Sequence, residues 1–396
     1  MLLITNGKII TMTGQTFEKG YILADEGKII ELGNMEDMPA ISATGEKKVE
    51  VVDAEGGYVL PGFIDAHCHV GMWEDSIGFE GDDGNEATDP VTPQLRAIDG
   101  VYHADRSFVE ARENGVTTVV TGPGSANVIG GQFAALKTYG RRIEEMIVKE
   151  PVAMKVAFGE NPKTVYYEKR QMPMTRMATA ALLRENLMKA AEYKQQLEDY
   201  DNDKENNSKP DFDMKMEALL KVINREIPLK AHAHRADDIL TAIRIAKEFN
   251  LKITIEHCTE GHLIKDILAE EGVAVIVGPS LTDRSKPELR NQSLKTPGIL
   301  SDSGVKVAIM TDHPCIPIQY LSLCAAMAVR EGMDEYEAMK AITINAAEIT
   351  GISDRVGSLE KGKDADIVIF NGHPFELRTK VMMTVINGNI VYRAQR

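Results

Sequence analysis

Seven runs of strand length, each almost wholly apolar, recur between residues 62 and 310, at 62–69, 116–121, 153–158, 229–232, 253–257, 273–277 and 305–310. Apolar runs without in/out alternation mark strands buried on both faces, the habit of parallel sheets. Helical patterns separate them, clearest at 176–200, 236–249, 261–270 and 334–349, and residues 133–137 supply an eighth short strand. Strands alternating with helices on this scale predict a (β/α)8 TIM barrel, with an open doubly wound sheet as the alternative.

On either side of this region the pattern is short and antiparallel. Leu3-Ile4, Lys8-Ile9-Ile10, Tyr21-Ile22-Leu23 and Lys28-Ile29-Ile30 are divided by turn signals at Asn6-Gly7, Glu26-Gly27 and Leu32-Gly33. The same signature returns at 365–371 and 381–392, where Asn387-Gly388 marks a hairpin. Both ends are therefore expected to share one small β-sandwich, built from residues 1–58 and 357–396, leaving 59–356 to the barrel. Residues 73–99 and 199–213 read as insertions, the second (DYDNDKENNSKPDFD) as a solvated mobile linker.

Composition narrows the function. With 43% hydrophobic residues the chain has material for a sizeable core. Sixty acidic against 45 basic residues, a net charge of −15, argue against nucleic acid or an anionic membrane as the main partner. No stretch approaches the ~18 unbroken apolar residues of a membrane span, and the opening MLLITNGKII has no signal-peptide pattern. A cytoplasmic homo-oligomer acting on a small molecule is expected. Cys68, Cys258, Cys315 and Cys324 form no CxxC pair, which suits a reducing compartment, and each reads as a small buried filler on a strand.

The chemistry-bearing residues collect where the apolar runs finish. His67 and His69 follow Phe63-Ile64-Asp65-Ala66, His232 and His234 follow Leu229-Lys230-Ala231, His257 follows Ile253-Thr254-Ile255-Glu256, and Asp312 follows Val307-Ala308-Ile309-Met310-Thr311. In a barrel those strand ends share one rim, where barrel enzymes keep their active sites. A strand's period of two places His67 and His69 on the same interior side, with Cys68 opposite. Neutral imidazoles with a carboxylate make the usual ligand set of zinc and similar divalent ions.

This ordered set resembles the amidohydrolase superfamily of metal-dependent hydrolases, in particular its imidazolonepropionase and dipeptidase branch. The resemblance runs from Ile4-Thr5-Asn6-Gly7-Lys8-Ile9-Ile10 through residues 58–69, His232, His257 and Thr311-Asp312-His313-Pro314 to residues 357–366. It implies a (β/α)8 barrel with a composite sandwich, and a metal-activated water attacking a carbonyl or amidine carbon. It matches His67 and His69 to the first-strand metal ligands, His232 to the fifth, His257 to the sixth, and Asp312 to an eighth-strand ligand that also serves as general base and acid. One or two divalent ions, zinc foremost, are implied.

Two-metal relatives also need a bridging carboxylate, for which Glu160, at a strand end, is slightly preferred over Lys155, whose carboxylated form would serve. His234 shares the face of His232 and is a candidate to bind or polarise substrate, with a supporting hydrogen bond as the other reading. His262 is expected to be structural and His313 to point away from the metal, while His103 and His373 read as bland. Residues 122–132 form a glycine-rich rim loop without the spacing of a phosphate loop, and the acidic stretch 80–86 reads as a solvated loop in preference to a lid.

The expected reaction is hydrolysis of a C–N bond other than an ordinary peptide bond, in a cyclic or linear amide that includes dipeptide-like molecules. An alternative is deamination of a heterocycle, disfavoured because Arg235 stands where such relatives commonly carry an acidic residue. The other alternative is a non-catalytic metal-binding barrel, disfavoured because Asp312 is kept beside an intact histidine set.

Overall fold

In a computed structural model that describes residues 1–39, 48–75 and 78–395, the predicted strands assemble into one eight-stranded barrel sheet. In hydrogen-bonded order the strands are Phe63–Cys68, Val116–Thr121, Ile129–Lys137, Ile147–Ala157, Leu229–Ala233, Ile253–His257, Val275–Val277 and Val307–Ile309. All neighbours are parallel except around the third strand, which runs antiparallel to both the second and the fourth. The link from Thr121 to Ile129 is too short for a crossover, and parallel neighbours need a dozen or more connecting residues, so the chain must fold straight back. Reversal carries the end of this strand, Lys137, to the barrel floor beside Thr118.

The barrel closes without a regular ladder between its first and eighth strands. Asp65, wholly buried, accepts from the Thr311 hydroxyl at 2.5 Å, the Thr311 backbone N–H at 3.1 Å and the His67 N–H at 3.1 Å. Above it the Asp312 N–H donates to the His67 carbonyl at 3.3 Å, and the His69 N–H to that of His313 at 2.9 Å. Beside this seam Ile64, Ala66, Val120, Phe133, Ile276 and Ala308 belong to one buried apolar cluster.

Outside lie the expected helices, among them Arg176–Asn202 and Ala236–Glu248. The helix expected at 334–349 is two, Glu335–Ala341 and Ile344–Ile349. The break frees the Ile342 carbonyl to accept the Ile64 N–H at 2.8 Å, a tertiary bond invisible to helical periodicity. At 261–270 a 3-10 turn, Gly261–Leu263, precedes the helix Lys265–Glu271. The 199–213 segment is only partly a linker: its start continues the Arg176–Asn202 helix, and Asp213 caps the helix Met214–Ile223 by accepting from the Lys215 and Met216 N–H groups.

Strands from both chain ends form a separate sheet in which Tyr58–Pro61 lies between Leu2–Ile10 and Ile367–Phe370. Asn6-Gly7 makes a bulge inside the continuous strand Leu2–Ile10 instead of the expected turn, and Leu32-Gly33 lies inside Lys28–Asn34. Glu26-Gly27 and Asn387-Gly388 do form tight hairpins, all four residues having positive φ as a type I′ turn requires. Gly62 links the two sheets: a Cβ there would overlap the Thr117 hydroxyl at 1.9 Å, so no larger residue fits. All four cysteines are free. Three are buried, but Cys315 is exposed, because it lies on the loop after the eighth strand and not on a strand, and Cys324 lies on the helix Leu321–Arg330.

Lys137 ties the barrel floor to the terminal sheet. Its buried ammonium contacts Asp366 and lies 3.0 Å from Asp364, which also meets Lys28 at 2.6 Å and Arg355 at 2.8 Å. Removing one partner of a buried ion pair leaves an uncompensated charge and costs about 3–5 kcal/mol. Lys137→Met should therefore lower unfolding stability by about 3 kcal/mol, since Asp364 keeps two cations, as measured by urea denaturation; an unchanged midpoint would refute this role for Lys137.

Candidate metal centre

Strand parity explains how most of the polar side chains reach the barrel interior. Asp65, His67 and His69 share one face of the first strand, and Lys230, His232 and His234 share one face at the fifth. Glu256 and His257 are adjacent, so a regular strand would send them to opposite sides. Both His257, at φ +70°, and Cys258, at +51°, adopt left-handed backbone, which turns the chain at the strand end and lets His257 join Glu256 inside. Asp312, at φ +54°, uses the same device. Non-glycine residues held there cost of order 1–3 kcal/mol and cluster at functional sites.

Two groups converge at the barrel mouth. The ligand atoms of His67, His257 and Asp312 lie within 4.8 Å of one another, and so do those of His232, His234 and His257. Asp312 Oδ1 stands 3.2 Å from His69 Nε2 and 3.5 Å from His67 Nε2, while Lys155 Nζ lies 3.3 Å from His67 Nε2. The outer nitrogens of His69 and His257 are already committed. His69 Nδ1 meets the Gly122 carbonyl at 2.7 Å, His257 Nδ1 that of Gly278 at 2.9 Å, and His67 Nδ1 the Glu256 carboxylate at 3.1 Å. Carbonyl acceptors require the proton on Nδ1, which leaves the Nε2 lone pairs of His69 and His257 directed at the centre.

Burial sets the charges. It holds His67, His234 and His257 well below the ordinary histidine value and brings His232 down to about 4, with nearby cations adding to the effect. Burial alone would raise Asp312, but the contact with His69 and the charge of Lys155 hold it below its usual value. Burial lowers the Lys155 ammonium to about 8 despite Asp312 and Glu256. His67, His232, His234 and His257 are thus neutral imidazoles near an ionised carboxylate, and these groups fit a divalent cation.

The structure brings Lys155 into this cluster, fully buried. Glu160 begins the helix Glu160–Glu168, half-buried on the wall of a cleft of about 710 Å³ that opens above the cluster. His234 lines the same cleft, with Nδ1 2.8 Å from the Thr259 hydroxyl. His313 points away, its Nδ1 accepting the Ile318 N–H, and His262 meets Thr296, a structural contact. His373 lies edge-on to Tyr58, beside Glu335. Arg235 turns outward to Asp237. In the 80–86 stretch Glu80, Asp82, Asp83 and Glu86 are exposed, yet Asn85 accepts the Ala126 N–H, so the segment is pinned to the glycine-rich loop. Trp73 lies edge-on to His69.

Sequence reasoning passed over Asp65, Lys230, Glu256 and Glu288. Asp65 and Lys230 were available from parity with their histidines. Glu256 holds His67 and pairs with Lys230 at 2.8 Å, and its apparent parity conflict with His257 concealed it. Glu288 comes from the loop after the seventh strand, which carries no periodic signal.

Residues 58–391 match the model of the amidohydrolase family. The chain belongs to this family. It is 43% identical to an amidohydrolase of known structure from Thermotoga maritima MSB8, with a TM-score of 0.93 and full coverage of both chains. It is 26% identical to an imidazolonepropionase from Thermoplasma acidophilum, over 99% of this chain and 97% of that protein. It is 28% identical to the amidohydrolase tasK from Hapsidospora irregularis, covering 93% of this chain but 39% of that longer protein. A Xaa-Pro dipeptidase structure shares the fold at 18% identity and a TM-score of 0.58. The protein is accordingly a hydrolase of the amidohydrolase family, and among the described residues no helix is long and apolar enough to cross a membrane.

The histidine shifts have a consequence for stability. Between pH 6.5 and about 4 the unfolded chain protonates His67, His232, His234 and His257 while the folded chain keeps them neutral, so stability falls as pH drops through that window. Asp65, raised to about 7 by burial, and Asp238, also raised by burial, act in the opposite sense, while His313, brought down to about 4 by burial, adds to the four histidines. In chelator the urea midpoint should be lower at pH 5 than at pH 7; an equal or higher midpoint would contradict the neutral assignment.

Proposed function

We propose that the protein hydrolyses a C–N bond of a small cyclic or linear amide, using one or two divalent ions, zinc foremost, at the barrel mouth. The observation that carries this reading is the convergence of His67, His69, Asp312 and Lys155 on one side and His232 and His257 on the other, beneath an open cleft. The likeness to an imidazolonepropionase over nearly both full lengths supports a ring amide, and the dipeptidase fold neighbour keeps dipeptide-like substrates in view.

His67, His69 and Asp312 would hold one ion, and His232 and His257 would contribute to a second. A divalent ion supplies Lewis acidity there and brings deprotonation of water toward neutral pH. Asp312 is assigned the proton: its carboxylate, ionised and facing His69, receives it from the attacking water and returns it to the leaving nitrogen. Lys155 is the better bridge than Glu160, because its amine already lies in the cluster and is held near 8, where an uncharged fraction can add to CO2 and release a proton, leaving a carbamate. Glu256 stands 3.1 Å behind His67 Nδ1, and Lys230 pairs with Glu256 and donates to the Ala66 carbonyl, which favours a His67 ring with Nε2 toward the centre.

Chelation should abolish turnover across a panel of N-acyl amino acids, dipeptides and imidazolones, with recovery on adding Zn2+. Asp312→Asn should lower kcat/KM about 10²- to 10⁴-fold at unchanged fold. Turnover that survives complete metal removal, or is indifferent to Asp312→Asn, would reject the proposal. Supplying ¹³C-bicarbonate should give a carbamate resonance that Lys155→Arg abolishes; its absence in the wild type would return the bridge to Glu160.

A further inference from the structure

Beyond the histidines and Asp312, only two charged residues line the cleft of about 710 Å³ above the centre, Glu160 and Lys286. Trp73, Ala126, Val165 and Leu289 make much of the remaining wall apolar, so the charge a substrate meets there is decided by those two. Lys286 is already matched. Its Nζ stands 2.7 Å from Oε1 of the buried Glu288 and donates to Asn161 Oδ1 at 2.8 Å. Asn161 donates in turn to the Ser125 hydroxyl at 2.6 Å and carries the same amide nitrogen to 3.4 Å from His232 Nε2.

Glu160 is not matched. Its N–H donates to Glu288 Oε2 at 3.0 Å, which fixes its backbone one residue from Asn161. Among the described residues its half-buried carboxylate has no hydrogen bond or ion pair, Lys163 on the same helix included. A carboxylate held partly out of water without a counter-charge is stabilised by a cation that enters beside it. The rim carries charge of the same sign. Glu80, Asp82, Asp83 and Glu86 are exposed and make no ion pair with a described lysine or arginine. This segment is fastened at the mouth, the Asp83 N–H donating to the Met72 carbonyl at 2.9 Å, the Gly124 N–H to that of Gly84 at 2.7 Å and the Asn127 side chain to that of Glu86 at 2.7 Å. Burial and the charges of Glu80, Asp105 and Asp83 raise Glu74, next to Trp73, above its usual value.

We propose that the substrate is an amide bearing an ammonium or other cationic group, that Glu160 binds this group as the specificity-determining residue, and that carboxylate-bearing amides are disfavoured. The inference rests on the reading that this cleft hydrolyses small amides, and it narrows the substrate class. Trp73 offers aromatic surface on which the same cation is favoured. The acidic rim draws cations toward the mouth, an effect that salt weakens. With the Lys286 charge matched by Glu288, no free cation among the described lining residues is left to hold a substrate carboxylate.

The test uses the full chain loaded with Zn2+ and two sets of matched amides. In one set the charge lies on the amine side: N-acetyl-1,4-diaminobutane, N-butylacetamide and 4-acetamidobutyrate carry an ammonium, no charge and a carboxylate. In the other it lies on the acyl side, in the anilides of 4-aminobutyric, butyric and succinic acid. Affinity is read by calorimetry and turnover by product release. In at least one set the ammonium member should bind about tenfold more tightly than the uncharged one, and the carboxylate member more weakly than either. Glu160→Gln should remove that preference, with the loss falling on KM more than on kcat, and Glu160→Lys should invert it, a gain of carboxylate binding that an unfolded variant could not show. No preference for the ammonium member in either set, or one untouched by Glu160→Gln, overturns the inference while leaving amide hydrolysis standing. A preference for the carboxylate members that Lys286→Met abolishes, or an ion found ligated by Glu160, overturns it equally. A preference dependent on Glu160 in a chain that hydrolyses no amide supports the cation-binding role and rejects the proposed function.

Discussion

The seam between the first and eighth barrel strands is the constraint on which the rest depends. Three residues of the proposed centre, His67, His69 and Asp312, lie on it, so their mutual geometry is the geometry of closure. Asp65 makes that closure specific by receiving the Thr311 hydroxyl and two backbone N–H groups inside a wholly buried environment. Unpaired buried polar groups are costly, so the two strands meet in the register that satisfies the Asp65 carboxylate. The carbonyls of His67 and His313 then take the N–H groups of Asp312 and His69, locking the backbone of the would-be ligands.

Around this seam the barrel holds both apolar and charged groups. Phe133, Ile276 and Ala308 belong to one buried apolar cluster, Lys155 and Lys230 lie side by side in register, and Glu256 pairs with Lys230 next to His232. The two lysines sit over the Phe133 ring, each at 5.5 Å, which is one reason two cations can be tolerated side by side. Burial and nearby cations keep His67, His232, His234 and His257 neutral, and neutral histidines are what a divalent ion needs. The opposite face of the barrel uses charge differently: Lys137 and the aspartates of the returning chain pair fully with one another and serve to join two sheets.

Much of this was legible beforehand because it rests on local regularities. Apolar runs of strand length located all eight barrel strands, and hairpin signals at Glu26-Gly27 and Asn387-Gly388 located real turns. Histidines at strand ends pointed to a rim, and the resemblance to amidohydrolases named their order. What escaped the reading was set by contacts between distant segments. The third strand's reversed direction follows from a short link whose length was visible but whose consequence was not drawn. The broken helix near Ile342 follows from a bond to Ile64. Glu288 reaches His234 across a loop with no periodic pattern.

By itself, then, the sequence determined the alternation of elements, the hairpins near both chain ends and the parity that sends His67, His69, His232 and His234 inward, since each depends on residues near one another in the chain. Only the tertiary structure decided that Lys155 enters the cluster while Glu160 lines the cleft, that left-handed backbone at His257 and Asp312 aims those groups at the centre, and that a carboxylate from the seventh-strand loop completes the wall beside His232. Those choices are made by packing and closure, where the energy of a group depends on partners far away in sequence.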